Sequence, residues 1–393
     1  MKTHLAVLAV PLFMSIGMAA GSALADEKSS RLFIDRDVDR FAVLPDGVRF
    51  PEGIAANPAN GDIFVATFDF GNPNKLLRYN RHGHLLAQRD FGKTPLLGLI
   101  FDPLQGKLYI ANAGNLAGAG AAKIQRIAAG FNSSTPVEDV ATLPGIGAPA
   151  PRHEKNNPDG SEDLITFGSN FAPAPNALDF DKPGNLYVSD SFQGAIFRID
   201  NVRTCAPGCV AATFVQDPLL ATAGFPPFGA NGLAFNGDDS ALFIANTGDD
   251  RVLRLDMGSK VITVFAEGIN GADGLVFDNE GRLWVAANQA DELVALNANG
   301  RIVARLGEFR GIRNDGTPDG LLFPASPVIV GDDIFVTNLA IALTPTVGDE
   351  PEEDVTRWTV SRMKLPRHRG RPPRSIPPTP VGRMLRGAKS GTE

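Results

Sequence analysis

Six near-copies of one phrase, four short apolar runs in each copy, and almost no helical periodicity predict an all-β fold: a six-bladed β-propeller with four antiparallel strands per blade. The phrase is clearest in "GADGLVFDNEGRLWVAAN" (271–288), "GANGLAFNGDDSALFIANT" (229–247) and "APNALDFDKPGNLYVSDS" (174–191). Repeats of about 40–50 residues signal propellers or solenoids, because one unit cannot bury its own faces. A complete unit reads "GLVFD", "LWVAAN", "LVALN" and "IVARLG", separated by "NEGR", "QADE" and "ANGR", which place Gly, Asn and Asp at hairpin spacing. Such a sheet exposes two faces and two edges, and radial packing around a channel shelters most of them.

In chain order the units begin at "PEGIAANPANGDIFVAT" (51–67) and "LLGLIFDPLQGKLYIAN" (96–112), continue through the three above, and end at the weaker "FPASPVIVGDDIFVTN" (323–338). The last unit lacks a strand after "TVSRMKL" (359–365), while a spare run, "RFAVLP" (40–45), precedes the first. The N-terminal run is therefore expected to complete the last blade and close the ring. Glycine-rich "NAGNLAGAGAAK" (112–123) lacks the strand-to-helix context of a phosphate loop and reads as a blade hairpin.

Residues 1–25 carry Lys2, an apolar run and an Ala23-Leu24-Ala25 exit, which describe a secretory signal cleaved before Asp26. The product is expected to be exported, to the periplasm or beyond. Pro11 and Ser15 interrupt the apolar run, a membrane span needs about 20 apolar residues, and no later segment meets that need. The propeller is assigned to 26–365, and 366–393, rich in Pro, Arg and Gly, to a disordered basic tail. That tail holds seven Lys/Arg against Glu393 alone, so with a whole-chain charge of −7 the propeller itself is more acidic still. An acidic body argues against nucleic acid as a partner, since phosphate contacts need a basic face. The two cysteines, Cys205 and Cys209, flank Pro207-Gly208 in "RTCAPGCVA" and read as a small disulfide closing a loop.

The first strand of a propeller blade lines the channel, so the residue just before it is expected at the tunnel mouth. Across the repeats that phase holds Glu52, Leu97, Asn176, Asn231, Asp273 and a blade-six member near Ser326. Asn and Asp before Gly are also ordinary turn residues. Four oxygen-bearing side chains meeting at a narrow mouth, however, call for a cation to offset carboxylate repulsion. The set has no Cys and no His, and hard oxygen donors point to Ca²⁺ first, with Mg²⁺, Mn²⁺ or Zn²⁺ as other divalent choices.

Over roughly residues 45–345 the chain resembles the gluconolactonase, regucalcin and luciferin-regenerating enzyme family, also called the senescence marker protein family. More distantly it is similar to the diisopropyl-fluorophosphatase and paraoxonase propellers. The resemblance rests on "PEG" (51–53), "PNALDFDKPGNLYVSD" (175–190), "NGLAFNGDDSALFIANT" (231–247) and "DGLVFDNEGRLWVA" (273–286). It implies a catalytic divalent cation at the tunnel mouth, held by Glu52, Asn176, Asn231 and Asp273, with Asp273 also acting as base or nucleophile. The implied reaction is hydrolysis of a small lactone or carboxylic ester.

The chain departs from that family at Gly53-Ile54, where the family has Pro and then an aromatic, and blade two offers no Arg or Asn matching its substrate-binding residues. "PEGIAANP" also resembles non-enzymatic NHL-class repeats, so a propeller that binds a small ligand or a protein without turnover is the alternative function. Three long connections, 145–174, 218–229 and 309–323, are expected at the same mouth. His153, in the first, reads as an exposed loop histidine rather than a proton shuttle.

Overall fold

Apolar alternation at period two, broken at each turn, folds into six successive four-stranded antiparallel sheets in the computed structural model, which describes residues 32–114, 121–154, 158–168 and 172–366. Blade one comprises Pro51–Asn57, Asp62–Thr67, Lys75–Tyr79 and Leu85–Asp90; blade two Leu96–Asp102, Lys107–Asn112, Lys123–Ala128 and Glu138–Thr142. Blade three comprises Pro175–Phe180, Leu186–Asp190, Ala195–Ile199 and Ala212–Gln216; blade four Ala230–Phe235, Ala241–Asn246, Arg251–Asp256 and Ile262–Glu267. Blade five is built from Ala272–Phe277, Leu283–Ala287, Glu292–Leu296 and Ile302–Leu306, and blade six from Pro324–Val330, Asp333–Asn338 and Thr359–Lys364. The N-terminal strand Asp39–Val43 pairs antiparallel with Thr359–Lys364 and closes the ring as expected. Phe33–Asp35 adds a fifth strand to blade five, parallel to Ile302–Leu306; three residues are too few to show alternation in the sequence.

Burial grades outward. The second strand of blade one, Asp62–Thr67, is buried throughout, whereas the outermost, Leu85–Asp90, alternates exposed and half-buried positions. Between neighbours the faces are apolar: Ala55, Phe64 and Leu76 of blade one pack with Leu99, Leu108 and Ile110 of blade two. Turns follow the sequence signals, as at Gly281, whose φ of 78° lets its N–H reach the Asp278 carbonyl. The strands that flank the glycine-rich 112–123 segment, Lys107–Asn112 and Lys123–Ala128, pair antiparallel, while residues 115–120 of the expected hairpin lie outside the described residues. Among the described residues no helix is long and apolar enough to cross a membrane. The expected signal segment, and the expected tail beyond Pro366, lie outside the described residues.

Every inner strand carries the same irregularity. In blade one Pro51 pairs with Thr67 and pairing resumes at Ile54 with Val65; in blade four Ala230 pairs with Asn246 and pairing resumes at Leu233 with Ile244. One extra residue on the inner strand is a β-bulge, which re-aims the side chains it carries. The ring residues therefore lie at the second position of the inner strand, not before it as the sequence reading placed them. The glycines that follow are not turn residues either. A Cβ at Gly232 would stand 2.2 Å from the Asp273 carbonyl oxygen, and one at Gly53 would stand 2.0 Å from that of Leu97. Glycine there lets adjacent inner strands approach backbone to backbone around the axis.

Buried hydroxyls at the ends of second strands tie each to the inner strand of the next blade. Ser189 Oγ donates to the Asn231 carbonyl (2.6 Å), Thr247 Oγ1 to that of Ala272 (2.7 Å) and Thr337 Oγ1 to that of Glu52 (2.6 Å), the last joining blade six to blade one. Each contributes about 1 kcal/mol and leaves no bulge carbonyl stranded where it acts. Farther out, Cys205 and Cys209 form the expected disulfide at the end of the short helix Val202–Cys205. Arg203 of that helix binds Asp102 of blade two at 2.8 Å, so the closed loop also links two blades.

Candidate active site

The bulges bring Glu52, Asn176, Asn231 and Asp273 to the floor of one cavity of about 330 Å³, although the four lie on four different blades. Each is buried, with exposures of 4%, 2%, 5% and 4%. Leu97, the blade-two member, lines the same cavity. The blade-six position needs correction: the register Pro324 with Asn338, resuming at Pro327, makes Ala325 the equivalent residue. Ser326 lies one place farther on and lines a narrower space of about 80 Å³ with Gly98, Gly232 and Gly274.

Hydrogen bonds fix how the floor is presented. Asn176 Nδ2 donates to Ser191 Oγ (3.1 Å), which donates to the Ala230 carbonyl (2.8 Å). Asn231 Nδ2 donates to Thr247 Oγ1 (2.9 Å). Neither amide oxygen is used in these bonds. Asn288 Nδ2 donates to Asp273 Oδ2 (3.1 Å), and Asn231 also bonds the Asp273 carboxyl. Asp273 Oδ1 and Glu52 Oε2 are buried without a hydrogen-bond partner.

Those orphaned oxygens set the electrostatics. Burial pushes the Glu52 carboxyl well above the usual carboxylate range, and the charge of Asp273 pushes it further. Burial also pushes Asp273 up to about 7, against the hydrogen bonds from Asn288 and Asn231, which pull it down. Two carboxyls that feel each other in a dry pocket do not both stand ionised unless a proton or a cation lies between them. Among the described residues no three His, Cys, Asp or Glu side chains gather as a metal cluster. The donor set here is two carboxyls and two amides, which fits a hard cation of the Ca²⁺ or Mg²⁺ kind.

Ser191, Thr247 and Asn288 were missed by the sequence reading. All three sit directly after the second strand of their blade, at the shared ends "SDS", "ANT" and "AAN" of the repeated phrase. In blades one, two and six that place holds Phe68, Ala113 and Leu339.

Above the floor the wall is apolar. The connection 218–229 supplies Phe225, Pro226, Pro227 and Phe228, and 309–323 supplies Phe323. Phe70, from the turn after blade one's second strand, and Ile341 and Leu343, after blade six's, were not anticipated. The third long connection, 145–174, gives no lining residue among those described, contrary to expectation. Arg152 in its hairpin binds Asp249 (3.0 Å) and the Pro218 carbonyl (3.1 Å), holding it to one side. His153 on that hairpin is exposed and faces Glu162 at 3.3 Å.

The stretch containing Asn231, Asp273 and their partners Thr247 and Asn288 is where the sequence is similar to a known family. Residues 226–307 match the family model described as SMP-30/Gluconolactonase/LRE-like region. No curated protein gives a significant match to the sequence. The structure is similar to that of a luciferin-regenerating enzyme, at 13% identity over 81% of this chain and 92% of that one, with a TM-score of 0.54. It is also similar to regucalcin from Agrobacterium tumefaciens str. C58, described as a calcium-binding protein, at 16% identity over 84% and 94% of the two chains, TM-score 0.52. A putative gluconolactonase aligns at 16% identity over 85% and 95%, TM-score 0.50. At such identities the likeness concerns the six-bladed fold. The family resemblance read from the motifs thus holds, with its sequence support concentrated in blades four and five.

Proposed function

We propose that the chain is an exported, metal-dependent hydrolase of lactone or carboxylic ester bonds. The observation that carries this reading is the pair of buried carboxyls of Glu52 and Asp273, both raised by burial and each with an unpartnered oxygen, beside two amides oriented by hydroxyls. The SMP-30/Gluconolactonase/LRE-like match and the likeness to a calcium-binding regucalcin support it. Glu52, Asn176, Asn231 and Asp273 would hold a divalent cation, Ca²⁺ first, which when bound would supply Lewis-acid polarisation of a carbonyl and charge to offset an oxyanion.

The chain's own groups do the rest. Asn288 and Asn231 fix the Asp273 carboxyl through hydrogen bonds, leaving Oδ1 free to take the proton of an attacking water. The apolar wall excludes bulk water and strengthens every interaction at the floor. Export is supported by the Cys205–Cys209 bridge, since disulfides persist in oxidising compartments.

A panel of lactones and aryl esters tests the activity. Hydrolysis is expected to need calcium, to stop with chelator, and to fall at least about 100-fold in Asp273→Ala, within the range for removing a positioned general base. A folded, calcium-stabilised protein that turns over no member of the panel would instead support a ligand-binding propeller.

A further inference from the structure

We propose that the site takes an ester or lactone bearing an extended apolar or aromatic substituent, and not a polyhydroxylated sugar lactone; this substrate class rests on the hydrolase reading above. Polar side chains in the cavity are confined to its floor, where Thr247 and Asn288 are already engaged with Asn231 and Asp273. The remaining lining side chains offer neither donor nor acceptor. Phe70, Phe68, Phe228 and Phe192 form a continuous series of ring contacts, with centroids 4.8, 6.2 and 5.4 Å apart in that order. Phe68 is buried at 5%, while Phe70 and Phe225, which also line the cavity, are 59% and 60% exposed. Large rings left in water at the rim of an apolar pocket mark a surface that an apolar ligand covers.

Phe323 adds an independent observation. Its φ of 46°, just before Pro324, is a left-handed conformation that bulky residues avoid. Its N–H donates to Asp291 Oδ1 at 2.8 Å, which fixes this conformation, and the residue lines the cavity. Strain of that kind persists at ligand sites where the surroundings enforce it.

Size limits the substituent. The cavity of about 330 Å³ opens at its rim, where Phe70 and Phe225 are exposed, so a substituent gains only over the length that the wall covers. A hydroxyl on the same wall would lose its water without gaining a partner, at a cost of about tenfold in affinity each.

The test uses the full chain with calcium. Values of kcat/KM are compared for δ-lactones with alkyl substituents from methyl to hexyl and for a polyhydroxylated δ-lactone. Binding of the matching δ-lactams, which resist hydrolysis, is measured by calorimetry. We expect both series to climb about fourfold per methylene, about 0.8 kcal/mol, and to level off once the chain passes the rim. The polyhydroxylated lactone should fall at least about 100-fold below the butyl compound. Phe70→Ser and Phe225→Ser, at exposed rim positions, should flatten both series.

Chain-length independence in both turnover and lactam binding overturns the proposal, as does preference for the polyhydroxylated lactone. If that lactone alone is hydrolysed, with dependence on calcium and Asp273, the hydrolase reading survives and this one falls. If nothing is hydrolysed but lactam affinity climbs with chain length, the apolar class stands and the hydrolase reading falls.

Discussion

Replacing Asp273 by Asn should stabilise the protein when no cation is present. Burial raises this carboxyl to about 7 from an unfolded value near 3.9. A carboxyl whose folded value is raised is a penalty that grows as pH climbs from the unfolded value and is complete above the folded one. At about 1.4 kcal/mol per unit, the penalty is about 4 kcal/mol above pH 7, to order of magnitude. Asp273→Asn removes it and keeps the side-chain shape, and it also removes the charge that raises Glu52. For a domain of more than 250 residues, about 4 kcal/mol corresponds to a shift in Tm of roughly 5–8 °C. In chelator at pH 8, the variant should melt that much higher than the parent, with the gap closing toward pH 4. Calcium should raise the parent and barely move the variant, because the ion binds only the folded site and the variant lacks one of its two carboxylates. A variant that melts lower than the parent in chelator, or equal calcium shifts in both proteins, would refute the reasoning.

Asp179, three residues along the inner strand from Asn176, offers a second pH test: burial raises it to about 7 although the Phe235 and Phe180 N–H groups both donate to it. It should contribute a loss of stability as pH rises from about 4 to about 7; Asp179→Asn should remove that part of the slope of Tm against pH, and identical slopes would count against it. For export, fractionation of cells expressing the full chain, followed by N-terminal sequencing, should find mature protein beginning at Asp26 with Cys205 and Cys209 oxidised. Finding only the full-length chain in the cytosol would exclude it.

The blades could be read from sequence because their determinants are local: alternation within a strand, and Gly, Asn or Asp at the turns. The ring could be read because it recurs at one phase of the repeat. Its exact seat could not, since a bulge is a property of pairing between strands, and Glu52 or Asp273 looks the same before a strand as within one. The same gap hid Ala325, whose equivalence to Asp273 appears only when Pro324 is seen opposite Asn338. Ser191, Thr247 and Asn288 had a periodic signal that went unused. The wall was legible only in part: the length of 218–229 and 309–323 pointed Phe225 and Phe323 to the mouth, whereas Phe70, Ile341 and Leu343 come from short connections that differ in every blade, so no repeat or length brings them into view.

Blade order around the axis gives the floor a direction. The donors Asn176, Asn231 and Asp273 stand on consecutive blades three, four and five, whereas Glu52 on blade one is flanked by Leu97 on blade two and Ala325 on blade six. Hydrogen bonds reach Asp273 from Asn288 and Asn231, but nothing of the kind offsets burial at Glu52, whose Oε2 has no partner. Glu52 therefore depends most on a counter-ion, while the consecutive polar blades supply the fixed dipoles around it. The two apolar neighbours of Glu52, Leu97 and Ala325, leave that side of the ring without polar side chains, so the groups that would hold an ion lie toward blades three, four and five.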